Sequence, residues 1–412
     1  MATRFWKNCT GNVAVIYALS VIPILAASVG AIDLFSINRK ADELQNKLDL
    51  SALEISTKYF SGMSQNELEE LGRNIFMAHF DNITDAEKAD YEYKDGLFDS
   101  FGAKVEPEGP DSYVTVQSAA FHEGMLGWSM DWVARRKSVV RIRPGDPACV
   151  LALDRNASQA IKIQGSSHVR MDGCVMASNS RSASAIYRGG SAKLTVDCVT
   201  TVGGTVGLTS DSNSVLDCDA PREYQYPSLD PLFGTELPTT TACGRLSGGK
   251  TKTLSPGTYC GERISGDVTL EPGTYILRGG EVALGGNGRL VGHGVTIFLL
   301  ENAKFSISAN QTVQLSPPTS GPYAGITLFQ PTSNVSPLTI NGGVDSLVTG
   351  FIYAPGAHVF MAGNSTTTGS GDCIRIVGNT IEMTGNSDIA ADCTDELGGR
   401  KMYGSRHISL FR

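Results

Sequence analysis

Thr253–Tyr259 reads TLSPGTY, and sixteen residues later Thr269–Tyr275 reads TLEPGTY. Each copy ends an apolar–polar alternation on Pro-Gly, a pair that breaks a strand and turns the chain. A Tyr then leads into the next apolar burst. The same pattern extends in both directions. Upstream lie Val169/Met171 and Leu194/Val196; around the copies lie Val268/Leu270, Val295/Ile297/Leu299, Phe305/Ile307 and Val313/Leu315. Downstream follow Ile326/Leu328, Leu338/Ile340, Phe351/Tyr353, Val359/Met361, Ile374/Ile376 and Ile381/Met383. A period of two puts one face of each strand in a core. Further echoes are Gly-Asn-Ser at 363–365 and 385–387, and GSSHVRMDGCV (165–175) beside GSAKLTVDCV (190–199). Steps of about 20–25 residues, each with about three short strands, predict the coils of a right-handed parallel β-helix. The alternative is an antiparallel β-sandwich, which also uses strands every 8–12 residues or so.

Composition agrees with a turn-dense, mostly β chain. Of 412 residues 46 are Gly, and charged residues are 18%, below a usual share of about 25%. A hydrophobic share of 41% argues against bulk disorder. The net charge of −8 argues against a general nucleic-acid partner, which needs a basic face.

Residues Val13–Ile32 (VAVIYALSVIPILAASVGAI) carry no charge. Twenty helical residues span about 30 Å, the thickness of a bilayer core. A single-pass anchor is expected, with Pro23 tolerated inside it; a cleaved signal ending near Ala26-Ala27-Ser28 is the alternative. Arg4 and Lys7 before the span, against Arg39, Lys40 and Lys47 after it, do not set its orientation. Cysteines do. Cys9 precedes the span, whereas Cys149, Cys174, Cys198, Cys218, Cys243, Cys260, Cys373 and Cys393 all follow it, none in a CxxC pair. Eight such residues read as four disulfides in an oxidising compartment, with the C-terminal bulk outside the cytoplasm. Neighbouring coils lie about 4.8 Å apart, inside the Cα separation of about 4.4–6.8 Å that a disulfide accepts. The expected pairs are Cys149–Cys174, Cys198–Cys218, Cys243–Cys260 and Cys373–Cys393, other connectivities staying open.

Four regions follow: an anchor with helical extension (1–60), a small α/β module (61–144), a disulfide-linked β-helix domain (145–395) and a basic tail (396–412), expected to be mobile. In the extension, Leu34, Ile37, Ala41, Leu44, Leu48, Ala52 and Ile55 recur at helical spacing. Their stripe is expected to pack on its own domain. Residues 64–108 hold twelve Asp/Glu against four Lys/Arg, with a helix at Asn66–Phe80. Strands are expected at Tyr113–Gln117 and Ser138–Arg143, and the basic run Arg135-Arg136-Lys137, Arg141, Arg143 reads as a solvated face.

The N-terminus reads Arg4-Phe5-Trp6-Lys7, Gly11-Asn12-Val13-Ala14, Asp33, then Leu44-Gln45-Asn46-Lys47-Leu48-Asp49 and Ala52-Leu53. Over residues 4–56 it resembles the N-terminal module of TadG-like proteins of the tight-adherence (Flp) pilus assembly system. Gly11, Asn12, Ala14, Asp33, Leu44, Gln45, Asn46 and Asp49 carry that resemblance. It implies an inner-membrane, single-pass protein with a periplasmic C-terminal domain, acting in pilus assembly or attachment beside other pilus assembly proteins. Surface exposure of that domain stays open. The Asp-x-Ser-x-Ser metal site of many such proteins is missing, since Asp211-Ser212-Asn213-Ser214 has Asn where Ser is required. The glycine-rich half is similar to the β-rich C-terminal regions of a TadG-like subgroup at Asp230-Pro231-Leu232, the two PGTY turns, Gly321-Pro322-Tyr323-Ala324-Gly325-Ile326 and Tyr353-Ala354-Pro355-Gly356. A prepilin cleavage signature is absent: Ile16 and Tyr17 stand where the glutamate belongs.

Candidate chemistry is sparse, and neither catalysis nor a cofactor is expected. Gly292-His293-Gly294 is similar to a polygalacturonase motif, but no Asp-Asp accompanies it and Asn379-Thr380 is followed by Ile381. His293 reads as a turn residue. Gly285-Gly286-Asn287-Gly288-Arg289-Leu290 departs from the calcium-binding nonapeptide at Leu290. Asp172, Asp197, Asp217, Asp345 and Asp388 read as turn and cap residues. Cys9 reads as a lone thiol. The expected role is a membrane-anchored, non-catalytic pilus assembly component. The alternative is an envelope glycan-binding module using aromatics such as Tyr323, Phe329, Tyr353 and Phe360, or, less simply, a polysaccharide lyase or hydrolase.

Overall fold

The computed structural model describes residues 10–59, 63–79, 101–108, 111–122, 132–209, 213–240, 242–246, 251–341, 343, 346–362, 366–367, 373–385, 388–392 and 400–411. The chain forms two compact units. One contains Met1–Tyr59, Met63–Arg143 and Ile408–Arg412; the other contains Pro144–His407.

In the first unit, helix α1 (Thr10–Lys58) runs unbroken through Pro23. Its N-terminal half is bare: Tyr17 is 71% and Ile22 70% exposed. The C-terminal half is one-sided, with Ile37, Ala41, Leu44, Leu48, Ala52 and Ile55 buried at steps of three and four, as the stripe predicts. Leu34 is the exception and stays exposed. The stripe packs within its own unit, against Phe76 of α2 (Gln65–Ala78) and an antiparallel sheet of β1 (Phe101–Glu108), β2 (Asp111–His122) and β3 (Trp132–Arg143). Helix α2 begins at a capping box: Ser64 accepts from the Glu67 amide, and the Glu67 carboxylate accepts from the Ser64 amide. Gly72 lets α2 approach the sheet, since a Cβ there would lie 3.1 Å from Ala103 Cβ. Strands β2 and β3 extend well beyond the expected Tyr113–Gln117 and Ser138–Arg143, and β1 adds a strand not expected from the sequence. The tail, expected to be mobile, instead supplies a fourth strand (His407–Leu410) beside β3, and the Phe411 amide donates to Val139 O at 2.8 Å. The basic run on β3 is mostly solvated; Arg141 bonds Asp111, Nε to Oδ2, at 2.6 Å.

In the second unit the named strands pair in parallel, which the antiparallel sandwich does not accommodate. They form three series. The first follows the order Cys243–Gly244, Gly257–Cys260, Gly273–Arg278, Val295–Leu300, Ile326–Phe329, Gly350–Met361, Ile374–Met383, Ala148–Ala152, His168–Ser178, Lys193–Thr201. A second series runs Thr251–Leu254, Asp267–Leu270, Arg289–Gly292, Thr312–Leu315, Leu347–Val348. The third starts Arg263–Ile264, Glu281–Val282, Lys304–Ile307, Leu338–Ile340 and continues on the C-terminal parts of Gly350–Met361 and Ile374–Met383 to Ile161–Ile163, Ile186–Arg188 and Thr205–Val206.

Strand order does not follow chain order. The chain enters mid-stack at Ala148, builds outward to Cys198–Thr201 and adds Arg222 by a bridge to Thr200. It then crosses to the opposite end, restarts at Cys243 and works back until Ile376 pairs with Val150. Ten spacings of about 4.8 Å separate Arg222 from Cys243, or about 48 Å. The connecting residues, at up to about 3.3–3.6 Å each, span this when mostly extended.

This connection acts as a strap over the outer face of the first series. The Gln225 amide donates to Thr201 O at 2.9 Å; Asn179 exchanges two bonds with the Ser228 backbone at 3.0 and 2.8 Å; Tyr353 Oη donates to Asp230 at 2.9 Å. Leu232 then joins an apolar cluster with Phe298, Phe329, Phe351, Tyr353 and, from the returning tail, Met402. Away from its exposed end at Cys243–Gly244 the first series is therefore buried on both faces, and its central strands are continuous apolar runs, such as ACVLA, VTIFLL and ITLF. The other two series alternate, as in DVTL and KFSI, and bury one face in the main interior cluster.

Candidate functional site

The helix motif is structural where its side chains are described. Gln45 and Asp49 lie one turn apart, and the Gln45 amide donates to Asp49 Oδ1 at 2.8 Å and to Lys137 O of β3 at 3.3 Å. Leu44 fills the core and Asp33 is buried. Gly11, Asn12 and Ala14 belong to α1, but their side chains lie outside the described residues. Asn46 is exposed, so packing does not account for it. A cleft of about 570 Å³ opens beside the pair, lined by Gln45, Asp49, Lys137, Ser138, Val139, Leu410 and Phe411.

In the second unit, three stretches far apart in sequence meet at the strap. Asp230 of the Asp-Pro-Leu stretch accepts from Tyr353 Oη, and its other oxygen accepts from the Leu232 amide at 3.1 Å. Tyr353 packs at a tilt against Phe329 (centroids 4.7 Å apart), Phe329 likewise against Phe298 (5.1 Å), and Phe298 meets Tyr323 edge-on (4.8 Å). Arg400 closes the end by donating to Ala324 O at 2.9 Å and to Pro322 O. Residues 222–394 match the model of a domain of unknown function, DUF7305. The match begins where the strap begins and covers less than half of the chain. No curated protein and no solved structure matches the chain significantly.

Burial raises the Asp230 carboxyl above its ordinary range, despite the bonds it accepts from the Leu232 and Phe233 amides and from Tyr353, and burial likewise pushes Tyr353 well up, so Tyr353 remains a donor. The sign follows. A carboxyl whose folded pKa is raised stabilises the strap most below its unfolded value near 3.8, and that contribution is lost as pH rises through the folded value. Asn mimics the protonated group. Asp230→Asn should therefore melt with the parent near pH 4 and above it at pH 8; equal melting curves at both pH values would sink this account.

Three expected disulfides form: Cys149–Cys174, Cys198–Cys218 and Cys243–Cys260, with Cα separations of 5.7, 5.4 and 5.5 Å. Two of them pin the terminal strands, where a sheet edge frays most easily. Cys373 is also disulfide-bonded, while Cys393 lies outside the described residues. The aromatic ladder proposed for glycans is not on the surface: Phe329 and Tyr353 are each 3% exposed, beneath the strap, and Tyr323 and Phe360 are half-buried. Exposed aromatics lie instead on the strap itself, at Tyr224 (77%), Phe233 (49%) and Tyr226 (43%). Nothing in the strand alternation announced them. His293 is an exposed turn residue bonded through Nδ1 to Ser316 Oγ at 3.1 Å. Asp172, Asp197 and Asp217 do approach one another: Asp197 accepts from the Gly173 amide at 3.0 Å, and burial, then its acidic neighbours, raise its pKa. Asp345 and Cys9 lie outside the described residues, as does the Asp388 side chain.

The PGTY copies are corners. Tyr275 Oη reaches Glu271 O and Leu254 O, both at 2.7 Å, and Tyr259 Oη reaches Ser255 O at 2.7 Å. Gly273 has φ of 143°, and a Cβ there would lie 2.9 Å from Pro256 Cβ of the preceding copy. Only glycine permits both that dihedral and that approach.

Proposed function

We propose that the protein is a membrane-anchored assembly component of a Flp-type pilus machine, held in the inner membrane by α1 with its second unit in the periplasm. One observation carries this reading. A helix long and apolar enough to cross a membrane continues without a break into a half that is buried in its own folded module. A helix of that length and composition near an N-terminus also suits a signal sequence. The fixed extension favours an anchor, because cleavage near Ala26–Ser28 would leave Asp33 and Ile37 of the packed helix at a new terminus. Disulfides on the far side favour an oxidising compartment. The role itself is supported by the resemblance of residues 4–56 to TadG-like proteins.

The three parallel series fit the three faces of one β-helix, with the interior cluster as its filling. Neighbouring strands in each series are about one coil apart in sequence, except at the Ile376–Val150 junction. The proposed assembly component is a non-catalytic scaffold that carries this body outside the bilayer.

The deciding experiment is a clean deletion in the bacterium that carries the gene, with pili counted by electron microscopy. Loss of pili and their return on complementation is the expected result. Unchanged pilus number would overturn the pilus role and leave the anchor and the β-helix as independent statements.

A further inference from the structure

The parallel stack of the second unit has two ends, and the outermost strands have a ladder partner on one side only among the described residues. At one end lie Cys243–Gly244, Thr251–Leu254 and Arg263–Ile264, which pair inward with Gly257–Cys260, Asp267–Leu270 and Glu281–Val282. At the other lie Thr205–Val206 and Ser214–Leu216, which pair inward with Ile186–Tyr187 and Leu194–Val196. Beside them the amides of Cys218 and Arg222 donate to Asp197 O at 3.0 Å and Val199 O at 2.8 Å. An unpaired edge is a template for a further strand. Each end is held in shape by a disulfide, Cys243–Cys260 or Cys198–Cys218. Leu254 at the first end and Leu208 at the second are 4% and 3% exposed, so the interior is closed within one copy.

The two ends carry opposite charge. Residues 205–226 hold Asp211, Asp217, Asp219 and Glu223 against Arg222; residues 242–265 hold Arg245, Lys250, Lys252 and Arg263 against Glu262. Arg222 is matched by Asp146 at 2.6 Å and Arg263 by Glu281 at 2.8 Å. Asp217, Asp219 and Arg245 are exposed and Lys252 is half-buried, and none of these four forms an ion pair among the described residues. The side chains of Asp211 and Lys250 lie outside the described residues. Val206 and Val215, on the two outermost strands of the acidic end, are 42% and 50% exposed.

The strand register also matches. Thr251–Leu254 and Ser214–Leu216 stand at the same place in the coil, just before Gly257–Cys260 and Cys218–Arg222 of the first series. Lys252 and Leu254 continue the interior positions of Val268 and Leu270; Ser214 and Leu216 continue those of Leu194 and Val196. Laying the basic end of one copy on the acidic end of another keeps every strand parallel. It also sets Leu254 against Leu216.

From this geometry we infer that the second unit stacks head to tail on a second copy of this chain, basic end to acidic end. Contact between like ends would oppose Arg245 and Lys252 to themselves, or Asp217 and Asp219 to themselves, which electrostatics disfavours. Contact between unlike ends is heterologous and leaves one end of each kind free, so it propagates rather than closing at a dimer. The inference rests on the parallel stack and does not depend on the pilus reading.

The test is sedimentation velocity of the full chain in a non-ionic detergent. The parent should form species heavier than the monomer that grow with concentration at about 0.01 M salt. They should recede near 1 M, where the screening length falls from about 30 Å to about 3 Å. Asp217→Lys with Asp219→Lys makes both ends basic; Arg245→Glu with Lys252→Glu makes both acidic. Each variant alone should associate at least about tenfold more weakly than the parent, because like charges then meet. An equimolar mixture of the two should associate again, since every unlike contact is restored. Both variants should melt within a few degrees of the parent. Association carried by α1 would ignore all four substitutions. A parent that is monomeric at every concentration, variants that associate as the parent does, or a mixture of folded variants that stays monomeric would overturn the proposal.

Discussion

Replacing Phe298 with alanine should lower the unfolding free energy of the second unit by about 3–5 kcal/mol. Phe298 is fully buried, yet it points away from the main interior. It lies between Tyr323 and Phe329, at the centre of the cluster that the strap and Met402 cover. Deletion of its ring leaves a cavity whose other walls are aromatic and held by Asp230 and Arg400, so collapse can recover little of the lost contact. The loss should appear locally first. Residues 222–240 should become the earliest site of proteolytic cleavage, because Leu232 loses the surface it packs on. Tyr224→Ser, on the exposed side of the same strap, should change stability by less than about 0.5 kcal/mol. Equal effects of the two substitutions would mean that the strap does not seal an apolar layer.

That second apolar layer marks the limit of what the sequence discloses. Alternation at Val268/Leu270, Phe305/Ile307 and Val313/Leu315 was legible, because those strands bury one face and show the other to water. Val295/Ile297/Leu299 belongs to the same alternation only if Thr296 and Phe298 are ignored. The run VTIFLL is apolar on both faces, and a continuous run of that kind signals burial on both sides. What covers the second face was not legible. The strap is rich in Pro and Thr, has almost no strand pattern, and reaches Tyr353 across 123 residues of sequence. Its anchoring acceptor, Asp230, looks like an ordinary turn residue beside Pro231.

The candidate sites divide on similar lines. The cysteine pairs were legible because strands adjacent in these stretches of sequence are also adjacent in space. The Gln45–Asp49 pair was visible as a one-turn spacing, though its reach to Lys137 O depends on the sheet. The opposed charge of the two ends was not visible. Asp217 and Arg245 are near one another in sequence, and only the register sets them at opposite ends of the stack. The tail misled for a plainer reason. Its basic residues suggested solvent, but Ile408 packs on the first unit's core and the strand needs only four residues.

The re-entry of the chain at Ala148 makes the strongest demand on the fold. Ile376 is fully buried, paired with Ile352 on one side and Val150 on the other. It joins the strands built before the strap to those built after it, a contact formed between residues more than 200 positions apart. Ile376→Asp should cost several kcal/mol, since a carboxylate there meets only apolar neighbours and no donor replaces its water. The form of the loss is the informative part. In a stack where each level touches only its neighbours, stability is close to a sum of levels and interfaces. A break at one interface should therefore split one cooperative melt into two, with 148–218 and 243–361 losing hydrogen-exchange protection separately. The strap would still link the two blocks, but through a few hydrogen bonds rather than through a ladder. Ser306→Asp, on an exposed strand face, is the control and should leave a single transition. A single transition in Ile376→Asp, shifted by less than about 1 kcal/mol, would mean that the two blocks do not share the continuous core that the Ile376–Val150 register describes.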